Sequence, residues 1–199
     1  MVKASFIVEG QTEIELVRSD YFKKWLMQYC GIELIGNPKD GNCKGKGNMC
    51  AAKLEALAEK IRKQDAPDVI VVLADLDPDA DVLCITERKK RIGSRHIDLV
   101  VIARNALEAW FLADTEAMRS WLRDGQFYEP VPESHMQPWD ALKNYGKAAN
   151  RGPGSKPGFA RKFIRDQRFD LERAASHENC PSASYCVEKL KQLGNKGKS

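Results

Sequence analysis

The sequence predicts an α/β fold: a parallel sheet of about four strands flanked by helices, followed by a helical C-terminal extension. Three observations predict it. Short apolar runs alternate with segments of helical periodicity through the first 114 residues, the pattern of strand–helix–strand units. The strongest run, Val69–Leu73, has five consecutive apolar side chains, as in a strand covered on both faces. After Asp114 such runs stop, and helical patterns separated by Pro- and Gly-rich loops take over. We therefore expect an α/β core over residues 1–114 and a basic helical extension over 115–199, packed together as one compact domain.

Each element has its own signal. Ala4–Val8 is a short apolar run broken by Glu9-Gly10, hence a buried strand. Thr12 with Glu15 three residues later reads as a capping box. Apolar Ile14, Val17, Tyr21, Trp25 and Leu26 then predict a helix running to about residue 28. Ile32–Ile35 is a second strand. Glycines 36, 41, 45 and 47, interspersed with Lys39, Lys44 and Lys46, predict a loop over 36–48. A helix over 49–64 should turn Ala52, Leu54, Leu57, Ala58 and Ile61 inward. Asp68–Ala74 is the third strand, and a helix carries the basic run Glu87–Arg95. Ile97–Ala103 is the fourth strand, with a helix over Ala106–Leu112. Beyond it, 125–138 and 150–158 read as loops, and 159–167, 170–177 and 182–193 as helices.

Composition narrows the function. The 199 residues carry 32 Lys+Arg against 28 Asp+Glu, a net charge of +4. Residues 143–199 hold 13 basic and five acidic side chains, so +8 lies there and −4 in the first 142. That asymmetry suits carboxylates for metal in one region and cations for phosphate in another. No apolar run approaches the length of a membrane span, and Glu9 interrupts any signal-like start. The six cysteines lack a CxxC pair, so a zinc ribbon is not expected. They read as reduced thiols in a cytoplasmic protein.

Acids stand where strands end. Glu9 follows the first strand, Asp75 and Asp77 the third, and Glu108 lies just past the fourth. Open parallel sheets bind ligands at the carboxyl ends of their strands. Carboxylates converging there repel unless a cation lies between them, and hard oxygen donors favour Mg²⁺ or Mn²⁺.

Two stretches then resemble a known family. Phe6-Ile7-Val8-Glu9-Gly10-Gln11-Thr12-Glu13 resembles the strand–Glu–Gly motif of the TOPRIM domain, and Val71-Val72-Leu73-Ala74-Asp75-Leu76-Asp77 its strand ending in DxD. With Asn105-Ala106-Leu107-Glu108-Ala109-Trp110, the chain looks most like the small stand-alone, OLD-like TOPRIM proteins. That resemblance implies a TOPRIM-like (Rossmann-like) fold and metal-dependent phosphoryl transfer. It implies Glu9, Asp75 and Asp77 as catalytic residues. It implies one or two Mg²⁺ or Mn²⁺ ions held by Glu9, Glu13, Asp75, Asp77 and Glu108, and links such proteins with ATPases and mobile-element defence. Two metals about 4 Å apart can serve both the attacking and leaving oxygens of a phosphodiester.

Phosphate contacts are expected from Lys44 and Lys46 in the glycine-rich loop, from Arg88 and Lys89, from Arg104, and from Lys156, Arg161, Lys162 and Arg165. Gly45-Lys46 is followed by Gly47 and not by Ser or Thr, so no ATP-binding P-loop is expected. The histidines form no pair at ligand spacing. The expected activity is a nuclease acting on nucleic acid, DNA ahead of RNA. The alternative is a non-catalytic TOPRIM subunit that lends its surface to a partner ATPase. Topoisomerase, primase and RecR-type readings each need further domains or a zinc module, which 199 residues with this cysteine pattern leave no room for.

Overall fold

A computed structural model describes residues 1–45, 48–76, 84–93 and 95–195. Strands β1 (Val2–Val8), β2 (Ile32–Leu34), β3 (Val69–Asp75) and β4 (Leu99–Ala103) form one parallel sheet in the order β2-β1-β3-β4. This is the α/β class and parallel sheet that the alternating pattern predicts. Val8 pairs with Leu73 and Asp75 with Ala103. The residues that follow β1, β3 and β4 therefore leave the sheet along one edge.

Successive side chains of each strand point to opposite faces, and both faces are covered. Ile7, Ile70, Val72, Ala74 and Ile102 pack with Leu54, Ala58 and Ile61 of α3 (Ala51–Asp65) and Ile92 of α4 (Ile85–Ile92). Phe6, Val8, Val71, Leu73 and Val101 face a larger layer. It comprises α1 (Gln11–Val17), α2 (Asp20–Trp25), α5 (Glu108–Ala113), α6 (Thr115–Leu122), α7 (Pro138–Ala148), α8 (Lys156–Asp166), α9 (Leu171–Ser176) and α10 (Pro181–Asn195). Phe111 of α5, Phe159 and Phe163 of α8, and Phe169 interlock ring against ring, with centroids 5.0–6.3 Å apart. The helices after Asp114 thus share one core with the sheet. No helix among the described residues is long and apolar enough to cross a membrane.

Several local expectations are corrected. The first helix is not continuous. Ser19 takes extended backbone angles, donates its hydroxyl to the Leu16 carbonyl and accepts from Phe22 N–H, so a new helix starts at Asp20. A serine that offers the backbone such partners competes with the helical ladder. A π-helical turn, Leu26–Cys30, ends at Gly31, whose φ of 67° suits glycine. The helix cap is Gly10, two residues earlier than Thr12, and its N–H donates to the Glu13 carboxylate, the one half of a capping box that a glycine can form. Finally, α8 begins at Lys156, within the expected 150–158 loop, because Pro157 fits the first turn of a helix.

One buried carboxylate ties the C-terminal helices to the core. Asp114 is fully buried. It caps α6 through Ala117 N–H, accepts Asp170 N–H, and receives Arg173 Nε and Nη2 at 2.7 and 2.9 Å. Removing one partner of a buried pair costs about 3–5 kcal/mol. Asp114→Ala should therefore lower the urea midpoint by the equivalent of about 3 kcal/mol or more, with an unchanged m-value.

Candidate metal centre

The carboxylates converge at the exit edge of the sheet. Glu9 leaves β1 and is buried. Its carbonyl accepts Gly45 N–H at 2.8 Å, which lays the glycine-rich loop along the end of β1, and Asn42 bridges to Val8. Lys44, with φ 56°, lies in this bend next to Glu9. The Glu9 carboxylate reaches across to β3, accepting Asp75 N–H at 3.2 Å and Arg88 Nη2 at 3.1 Å.

Glu13 reaches the same place by capping. Its Oε2 folds back to accept Gly10 N–H at 2.9 Å, so the carboxylate lies over the start of α1 instead of extending into solvent. A Cβ on residue 10 would stand 3.3 Å from that oxygen. The glycine of the Glu-Gly motif therefore leaves room for the capping carboxylate. Asp75 ends β3, and its Oδ1 accepts Leu107 N–H at 2.9 Å. This bond depends on the turn after β4. Asn105 has φ 64°, a region Asn tolerates better than most residues, and its amide donates to the Glu133 and His135 carbonyls. The turn delivers Glu108, buried at the first position of α5, with Lys156 Nζ 3.6 Å away. Below it, Trp110 is fully buried and donates its indole N–H to Ser182 Oγ.

The electrostatics record the crowding. Burial first, then the charges of Glu108 and Glu9, push the Glu13 carboxyl up to about 7. Burial, then Glu13, Glu108 and Glu9, raise Asp75 well above the carboxylate range. Burial, with a smaller contribution from Glu9, pushes the nearby Cys43 thiol up to about 11. Among the described residues, Arg88 pairs with Glu9 and Lys156 approaches Glu108. At an effective dielectric near 20, two like charges about 5 Å apart repel by about 3 kcal/mol. Oxygen donors of this kind suit a hard divalent cation. Glu9, Glu13, Asp75 and Glu108 are the described carboxylates at this edge, whereas the described group whose ligand atoms lie within 4.8 Å of one another is Glu55, Glu59 and His96. Asp77 and Lys46 lie outside the described residues.

The other predicted phosphate contacts fall in different settings. Arg88 is buried, bridging Glu9 and the Asp75 carbonyl. Lys89 Nζ sits 3.7 Å over the Tyr185 ring. Arg104 N–H donates to Ser182 Oγ. Arg161 grips Glu15 with two 2.9 Å bonds, and Arg165 pairs with Asp166. Lys162 is exposed on α8. A separate acidic group also occurs. Glu55 and Glu59 on α3 and His96 before β4 bring ligand atoms within 4.8 Å of one another. It lies at the entry end of β4, away from Asp75, and Arg95 occupies it with a 2.8 Å bond to Glu55. The i,i+4 glutamates on a helix were the available sequence signal for it.

The chain is thus a parallel α/β protein with an acidic centre at the strand ends. Among solved structures it is similar to the C-terminal region of the Burkholderia pseudomallei OLD protein, with a TM-score of 0.48 and 14% identity, covering 98% of this chain and 99% of that one. No protein-family model and no curated protein matches the sequence.

The Glu13 shift has a sign that can be tested. Its carboxyl binds a proton more tightly in the folded protein, at about 7, than its ordinary value of 4.5. Its contribution to stability is therefore fully present below about pH 4.5 and is lost as pH rises to about 7. Glu13→Gln keeps an oxygen for Gly10 N–H and removes the charge. Thermal melting of the metal-free proteins should show the variant gaining on wild type from pH 4.5 to 7.5, by on the order of 2 kcal/mol.

Proposed function

We propose that this chain hydrolyses phosphodiester bonds in nucleic acid, DNA ahead of RNA, with one or two Mg²⁺ or Mn²⁺ ions, in the manner of OLD-like TOPRIM nucleases. The observation that carries this reading is the convergence of Glu9, Glu13, Asp75 and Glu108 at one sheet edge, close enough for their charges to act on one another. Asp77, two residues after Asp75 in sequence, would add a fifth carboxylate. The resemblance of the EGxTE, DxD and NALEAW stretches to TOPRIM proteins points to the same residues.

Bound divalent ions would neutralise charge on the attacking and leaving oxygens and acidify a water. The protein's own part is positioning. Arg88 fixes the Glu9 carboxylate against the end of β3. Leu107 N–H orients Asp75, and Gly10 N–H orients Glu13. Lys156 and Lys44 flank the centre, where a phosphate of the substrate would add negative charge that they can offset. Action beside an ATPase, in defence against mobile elements or phage or in DNA repair, belongs to the same proposal.

Supercoiled plasmid incubated with the full chain and Mn²⁺ tests it. Wild type should nick the DNA, and Glu9→Gln and Asp75→Asn should each slow nicking by about 100-fold or more. Cleavage that persists in both variants would remove these residues from the mechanism. A wild type that cleaves neither DNA nor RNA would overturn the catalytic reading and leave the non-catalytic subunit.

A further inference from the structure

A cleft of about 680 Å³ opens between the α1–α2 junction and the α8–α9 segment. Five arginines line it: Arg18, Arg161, Arg165, Arg168 and Arg173. Three acids share the lining and are tied down by neighbours or helix ends. Glu15 is held by Arg161, Asp170 caps α9, and Asp20 opens α2. The cationic excess is not uniformly spent. Arg161, Arg165 and Arg173 each make close ion pairs. Arg18 has only a 3.9 Å approach to Glu15. Among the described residues, no acceptor pairs with the Arg168 guanidinium.

The backbone at Arg168 is also unusual. Its φ is 55°, a left-handed conformation rare for a long side chain. Its carbonyl is fixed by Arg173 Nη2 at 2.6 Å, so the Arg168 backbone is held in place at the cleft while, among the described residues, its guanidinium has no ion-pair partner. Helix α8 runs from the acidic centre to the cleft. That helix starts at Lys156 beside Glu108 and carries Arg161 and Arg165 into the cleft. At 1.5 Å per residue, Lys156 and Arg165 are separated by about 13 Å along the axis. This is close to the rise of four base pairs at about 3.4 Å each. Lys39 of the glycine-rich loop adds a favourable charge at Glu15, so a second element brings positive charge to the same cleft.

We propose that this cleft holds backbone phosphates of the nucleic acid flanking the bond at the acidic centre, with Arg18 and Arg168 making the contacts. The proposal rests on the nuclease reading for what lies at the centre, and its test is independent of cleavage. Two charges that lack close partners, positioned on opposite walls, suit phosphates, which are recognised by charge and not by sequence.

Binding of a fluorescent 20-base-pair DNA, and of its single strand, to the full chain in EDTA should be measured between about 50 and 200 mM salt. For the duplex, Arg18→Gln/Arg168→Gln should flatten the slope of log K against log salt by about 1.8, and for the single strand by about 1.4. Lys60→Gln/Lys63→Gln, the same charge loss on α3 across the sheet, should leave both slopes unchanged. If the double variant melts more than a few degrees below wild type, Arg165→Gln, exposed on the same wall, should replace Arg168→Gln. Unchanged slopes in the arginine variants, an equal change in the lysine variant, or no binding by wild type would overturn the proposal. Intact cleavage with unchanged slopes would reject the cleft alone. A flattened slope in a protein that never cleaves would reject the nuclease reading alone.

Discussion

Repulsion among carboxylates at the exit edge of the sheet is the constraint on which the rest of this structure depends. Parallel strands deliver Glu9 and Asp75 to the same edge, because the register pairs Val8 with Leu73 while Asp75, paired with Ala103, closes the β3–β4 ladder. A capping glycine turns Glu13 inward, and the turn at Asn105 brings Glu108 to the same edge. None of these placements is electrostatically favourable by itself. They persist because backbone N–H groups of Gly10, Asp75 and Leu107 each hold one carboxylate oxygen. Each such bond contributes on the order of 1–3 kcal/mol.

The C-terminal helices gain their meaning from this edge. They share the aromatic core of Phe111, Phe159, Phe163 and Phe169, and Asp114 with Arg173 locks α9 to the start of α6. With that frame rigid, α8 starts beside Glu108 and extends away from it, so Lys156 meets the acids while Arg161 and Arg165 lie farther along. A net charge of +4 conceals this arrangement. The −4 of the first 142 residues and the +8 of the last 57 meet at one boundary, between α1 and α8.

Much of this was legible in the sequence. Val69–Leu73 could only be a doubly covered strand, and acids placed after apolar runs had to gather at one edge once the strands were parallel. What was illegible depended on tertiary contacts. Arg88 sits in a basic run with Lys89, Lys90 and Arg91, and nothing local marks it as the one that turns inward to Glu9. Ser19 interrupts an otherwise unbroken apolar period, because one hydroxyl with two backbone partners outweighs periodicity at that point. Thr12 looked the better cap than Gly10, yet Glu13 bonds the Gly10 amide, and Glu15 is freed to meet Arg161 across 146 residues. Arg161, Arg165 and Arg168 looked alike in sequence, and only the fold separates the paired Arg161 on α8 from Arg168 beyond its end.

Calorimetric titration of Mn²⁺ into the full chain near pH 7, repeated in two buffers of different ionisation enthalpy, tests the central claim most directly. If the crowded carboxylates form the metal centre, wild type takes up the ion and releases protons on binding. Asp75→Asn should then weaken binding by about tenfold or more. Saturable binding of equal strength in wild type and Asp75→Asn, or no binding by wild type, would contradict the account.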